Sequence, residues 1–80
     1  KNFKKQYSTV NVGDLASFEP NTVITLELLY ENRVVGKMLP YGLKVLAGGE
    51  ITKPLTVQCK KYTAAAKEKI EKAGGKIEVI

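Results

Sequence analysis

The sequence has 80 residues, 44% of them hydrophobic, with 13 Lys and Arg against 8 Asp and Glu for a net charge of +5. That length supports one domain with a thin core. With one Cys and no His, imidazole catalysis, an intrachain disulfide and a multi-thiolate zinc site are all excluded.

Residues 1–6 read as a basic arm: Lys1, Lys4 and Lys5 stand there without acidic or apolar partners, and no apolar run follows to make a signal peptide. From Tyr7 to Val12 the pattern alternates, with Ser8, Val10 and Val12 on one face of a half-buried strand. Gly13-Asp14 ends it, and Leu15 to Phe18 suit one helical turn capped by the Asp14 carboxylate. Glu19-Pro20-Asn21 is a turn. Residues 22–31 fit two readings: a strand with Ile24, Leu26 and Leu28 inward, or a short helix capped by Thr25 with Leu26, Leu29 and Tyr30 inward. Val34-Val35-Gly36 follows a charged turn at 31–33.

Pro40-Tyr41-Gly42 is a further turn, Leu43–Leu46 a strand, and Ala47-Gly48-Gly49-Glu50 the next turn. Residues 55–60 alternate again, with Leu55, Val57 and Cys59 inward and Pro54 at the start, where no ladder N–H is needed. The clearest helix is 64–73. Thr63 is its N-cap, Ala66, Ile70 and Ala73 share its buried face, and Lys67–Glu71 and Glu68–Lys72 are its i,i+4 pairs. Gly74-Gly75 stops it, one of the two in the left-handed conformation. Lys76–Ile80 is a final strand with Ile77 and Val79 inward. The expected fold is α/β, a small single domain of short strands and turns with one clear C-terminal helix and a final strand.

Charge is segregated along the chain. Residues 1–13 sum to +3, residues 14–32 to −4, residues 33–61 to +5 and residues 62–80 to +1. Such segregation allows a basic side and an acidic side. The carboxylates fall in turns or beside lysines, so an acid–base pair for catalysis is not indicated. Gly48-Gly49 lacks the Gly-Lys-Ser/Thr continuation of a phosphate loop and reads as a tight turn. Cys59 shares a face with Leu55 and Val57 and reads as core rather than nucleophile. Lys60-Lys61-Tyr62-Thr63 leads into a helix N-terminus, where lysine charge, free N–H groups and the helix dipole all favour phosphate. Tyr62 reads equally as an apolar anchor, and Tyr41 as a base-stacking ring or a cap on the core.

Two stretches carry a resemblance. Leu43-Lys44-Val45-Leu46-Ala47-Gly48-Gly49-Glu50-Ile51-Thr52-Lys53-Pro54-Leu55-Thr56-Val57 resembles the signature of the large ribosomal subunit protein 15 family, bacterial type. The tail from Ala66 to Ile80, with Ala73-Gly74-Gly75, is similar to that family's C-terminus. Val10-Asn11-Val12-Gly13-Asp14-Leu15, Phe18 and Leu26-Glu27-Leu28-Leu29 match in order upstream. Ala47 stands where the family usually has Gly. Gln58-Cys59-Lys60-Lys61-Tyr62-Thr63 replaces a common Lys-Ala-His-Lys-Phe-Ser, keeping the aromatic and the cap.

The resemblance implies a structural, non-enzymatic constituent of the large ribosomal subunit that binds large-subunit rRNA and needs no cofactor or small-molecule substrate. It implies neighbouring large-subunit ribosomal proteins as further partners and no membrane. The implied location is the cytoplasm, in a bacterial ribosome, with an organellar ribosome as the other setting. Family members carry a Gly-rich basic extension before a compact α/β domain. Residues 7–80 match that domain, and 1–6 are expected to continue from the extension. The resemblance also favours the helix over the strand at 25–31. Expected RNA contacts are Lys1, Lys4, Lys5, Arg33, Lys37, Lys44, Lys53, Lys60, Lys61 and Tyr62, mostly to phosphates and 2′-hydroxyls. Lys69 and Lys72 are expected to be taken up by ion pairing and solvent. The other reading is a protein-interaction module using the acidic 14–32 face.

Overall fold

The computed structural model describes residues 7–80; the basic arm, with Lys1, Lys4 and Lys5, lies outside the described residues. In chain order come β1 (Ser8–Asn11), a 3-10 turn (Val12–Leu15), β2 (Val23–Ile24), α1 (Leu26–Glu31), β3 (Leu43–Leu46), β4 (Thr56–Cys59), β5 (Lys61–Tyr62), α2 (Ala64–Lys72) and β6 (Lys76–Val79). The strands form two three-stranded sheets in the orders β1-β3-β5 and β2-β4-β6. All four strand pairings are parallel. Strands alternate between the sheets along the chain, so none pairs with its sequence neighbour. This is the expected α/β fold.

One apolar core joins the sheets. Val10 and Val45 come from the first sheet, Ile24, Val57 and Cys59 from the second, Leu29 from α1, and Ala66 and Ile70 from α2; all are buried. The two-residue periods of β1, β3 and β4 dictate this, since each strand turns alternate side chains inward. Helix α2 packs on β6, β3 and the 3-10 turn. Its N-cap is Thr63, whose Oγ1 accepts from the Ala66 N–H at 3.1 Å. Gly74, at φ 90°, is the left-handed residue that ends it.

Several expectations need correction. Strand β1 stops at Asn11; Val12 opens the 3-10 turn yet stays buried. That turn begins earlier than expected, and Asp14 works backwards: its carboxylate accepts from the Asn11 N–H at 3.0 Å rather than capping residues ahead of it. Residues 22–31 hold both elements, a two-residue strand and then a helix whose cap, Thr25, accepts from the Leu28 N–H at 3.1 Å. Leu29 is the buried residue of α1, while Tyr30 is 49% exposed rather than inward, because six residues present only one narrow apolar face. Val79 is 62% exposed. It lies at the end of an outer strand and pairs on one side only, with Cys59. The i,i+4 ion pairs of α2 do not form. Among the described residues the ion pairs are Lys69–Glu50 and Lys76–Glu78, both 3.3 Å. Lys69 also donates to the Ala47 and Gly49 carbonyls at 2.9 and 2.7 Å, so it fastens the 47–50 loop to α2.

Candidate nucleic-acid interface

The outward face of the β1-β3-β5 sheet gathers basic and aromatic side chains. Parallel register sets Thr9 beside Lys44 and Lys44 beside Lys61. Their inward neighbours Val10, Leu43 and Val45 are buried, so the three point to solvent. Adjacent strands lie about 4.8 Å apart, which places two ammonium-bearing stems side by side. None of the three strands contains an acidic residue. Like charges on neighbouring strands repel, and a bound anion removes that cost.

Aromatic rings extend the face. Tyr7 precedes β1 on its outward side, and the Lys44 Nζ lies 6.0 Å from its ring centroid. Tyr7 also meets Tyr41, with centroids 5.6 Å apart and planes inclined by 39°. Tyr41 stands in a turn closed by the Gly42 N–H to the Leu39 carbonyl, 3.1 Å. Gly42 has φ 87°, and a Cβ there would sit 2.6 Å from Lys60 Cγ. The Lys60 stem therefore lies directly on Gly42. Its backbone N–H donates to Leu43 O at 2.9 Å, and its Nζ donates to Ile80 O at 2.6 Å. Lys60 is thus tied to the start of β3, beside Tyr41.

Lys44 and Lys61 therefore come together, while Lys60 stands at the Tyr41 end with its ammonium turned to Ile80 O. The other described candidates are dispersed. Tyr62 follows Lys61 on the opposite side of β5, half-buried against the core, with the Lys67 Nζ 6.0 Å from its ring. It borders a groove on α2 rather than the lysine face. Lys53 donates to Phe18 O at 3.1 Å and ties two loops together. Arg33, at φ 61°, ends the turn after α1. Lys37 is exposed, and its carbonyl accepts from the buried Ser8 Oγ at 2.6 Å. Lys1, Lys4 and Lys5 fall outside the described residues.

Sequence reasoning missed Tyr7. The alternation of residues 7–12 put it outward, but its partners follow only from the parallel register. The remaining motifs resolve structurally. The Gly48 N–H donates to Asn11 Oδ1 at 3.0 Å, so it is not offered to a phosphate. Burial of Cys59 raises its thiol pKa above the ordinary 9.0, which suits core packing rather than nucleophilic attack. Among the described residues no group of three His, Cys, Asp or Glu is placed to hold a metal ion. No helix there is long and apolar enough to cross a membrane.

Comparison with known proteins gives two findings. Residues 9–78 match a family model of ribosomal proteins, which groups 50S-L15 and 50S-L18e with a 60S-subunit counterpart. The chain is also 55% identical to large ribosomal subunit protein uL15 of Fervidobacterium nodosum. That match takes in 100% of this chain and 55% of the relative, so the chain spans about half the length of the protein it resembles. Neither comparison lends support to the protein-interaction reading of residues 14–32.

Proposed function

We propose that this chain, which belongs to the ribosomal protein family that includes 50S-L15 and 50S-L18e, is a structural, non-enzymatic constituent of the large ribosomal subunit that binds large-subunit rRNA. Its partners are that rRNA and neighbouring ribosomal proteins, and its location is the ribosome, cytoplasmic in a bacterium. Residues 7–80 form the globular RNA-binding part. Residues 1–6 are the basic arm leading to it, with Lys5 only two positions before Tyr7.

The observation that carries the interface is the register of Lys44 against Lys61 on an acid-free sheet face. The mechanism is electrostatic. Lysines neutralise phosphates and release condensed counterions, which makes affinity fall with salt. A-form RNA offers backbone and 2′-hydroxyls rather than readable base edges, so a flat basic face suits it. Lys44 and Lys61 form the centre of this face, flanked by Tyr7, Tyr41 and Lys60. Lys1, Lys4, Lys5, Arg33, Lys37 and Lys53 are peripheral contacts, and Tyr62 supports the face through the core.

The test is co-sedimentation of the full-length protein with large subunits depleted of it, across a salt series. Saturable one-to-one binding that weakens with salt is expected. A protein that stays in the supernatant at low salt would sink the ribosomal reading.

A further inference from the structure

We infer that Tyr41 is a stacking platform for one unpaired nucleobase of the bound RNA, with the neighbouring phosphates held by Lys44 and Lys61. This rests on the rRNA-binding reading above and names the kind of nucleotide the face takes.

Tyr41 is 47% exposed, a large ring left half in solvent. Its backbone is nevertheless fixed on both sides. The Gly42 N–H closes the turn onto Leu39 O. Ser8 Oγ accepts from the Leu39 N–H at 2.9 Å and donates to Lys37 O at 2.6 Å. The ring leans on Tyr7, and neither tyrosine hydroxyl hydrogen-bonds another described residue. A ring carried on a fixed backbone and left half open to solvent is what a stacking contact requires.

The geometry also selects the ligand. A base sandwiched between two rings needs about 3.5 Å on each side. Centroids 5.6 Å apart leave no such gap, so the base takes the outward face of Tyr41. A base inside a stem is already stacked above and below; only a bulged, looped or terminal base has a face to give. Lys44, which faces the neighbouring Tyr7 ring, and Lys61 beside it supply counter-charge for the backbone that carries it.

The experiment measures affinity of the full-length protein for protein-free large-subunit rRNA, with excess tRNA as competitor, at two salt concentrations. Four variants are compared: Y41F, Y41L, Y41A and the double variant K44Q/K61Q. Y41F should bind like wild type. Y41A should weaken binding about 5- to 150-fold, by the same factor at both salts. Y41L fills the contact with Tyr7 but has no π face, so it should bind like Y41A. K44Q/K61Q should weaken binding and flatten the salt slope by about 2.

Probing of rRNA 2′-hydroxyl reactivity in the complex should show one unpaired nucleotide becoming reactive with Y41A but not with Y41F. If Y41A or Y41L binds like wild type, the ring is packing only and the inference is overturned. The lysine face then still stands, provided K44Q/K61Q weakens binding. If K44Q/K61Q also binds like wild type, the interface itself is wrong and the inference falls with it. Reactivity gained only at paired nucleotides overturns the inference as well.

Discussion

Replacing Lys69 by Met isolates what fastens the 47–50 loop to the last helix. Methionine keeps most of the stem packed and removes the ammonium. Three interactions go: donation to Ala47 O at 2.9 Å, donation to Gly49 O at 2.7 Å, and the ion pair with Glu50 at 3.3 Å. Hydrogen bonds from a charged donor contribute about 1.5–3 kcal/mol each when well shielded. The Lys69 side chain is 33% exposed, so solvent competes and the lower end applies. The Glu50 side chain is 82% exposed, and such pairs contribute about 0–1 kcal/mol. K69M should therefore cost about 3 kcal/mol, and E50Q about 0.5 kcal/mol or less. Urea titration measures both, with the slope expected to stay constant. Hydrogen exchange at the Gly48 N–H, which donates from this loop to Asn11 Oδ1 at the end of β1, should speed up in K69M. Equal losses for K69M and E50Q would refute the reasoning, since the ion pair and not the carbonyls would then hold the loop.

Other predictions follow from single contacts. Thr63→Ala removes the oxygen that accepts from the Ala66 N–H and should cost about 1 kcal/mol in urea unfolding. Ile70→Ala empties a site only 1% exposed and should cost about 2–5 kcal/mol by the same measurement. Gly75→Ala would press a Cβ onto Leu55 O and N, the backbone along which β6 enters its sheet, whereas nothing lies within 4 Å of a Cβ at Gly36. G75A should lower the thermal midpoint strongly and G36A hardly at all. Cys59 sets a pH dependence. Its folded pKa is raised above 9.0 by burial, so above pH 9.0 the unfolded chain releases the thiol proton first and stability falls as pH rises. Cys59→Ala should flatten that fall in urea midpoints, and iodoacetamide at pH 8 should label the thiol only after denaturant is added.

Much of the fold was legible because period-2 runs were clean. Leu43–Leu46 and residues 55–60 announced their strands, and Thr63 with Gly74-Gly75 bounded α2. The 22–31 segment was not legible, because two residues of strand and six of helix each fall short of the two full periods that would reveal them. Thr25 divides them by capping the helix with the side chain that follows the strand. Asp14 misled for a different reason: a carboxylate beside free N–H groups on both sides has two local solutions, and only the direction of the chain after Asn11 selects one.

The interface divided the same way. Lysine content marked residues 33–61, yet which lysines meet depends on register. Lys44 and Lys61 adjoin because β3 pairs β5 in parallel, and Tyr7 joins them through β1. The sequence neighbours Lys61 and Tyr62 part company because a strand sends them to opposite sides.

The alternation of strands between two sheets bears on when the protein becomes itself during synthesis. Ser8 waits for Leu43, Val23 for Thr56, and Thr56 for Lys76. No early stretch closes a ladder alone, and every pairing spans a long loop whose entropy is lost before any contact compensates for it. The nascent chain therefore gains little by folding piecemeal as it leaves the ribosome. Its two sheets should form together, late, after β6 has emerged, leaving the lysines mobile and the aromatics uncovered until then.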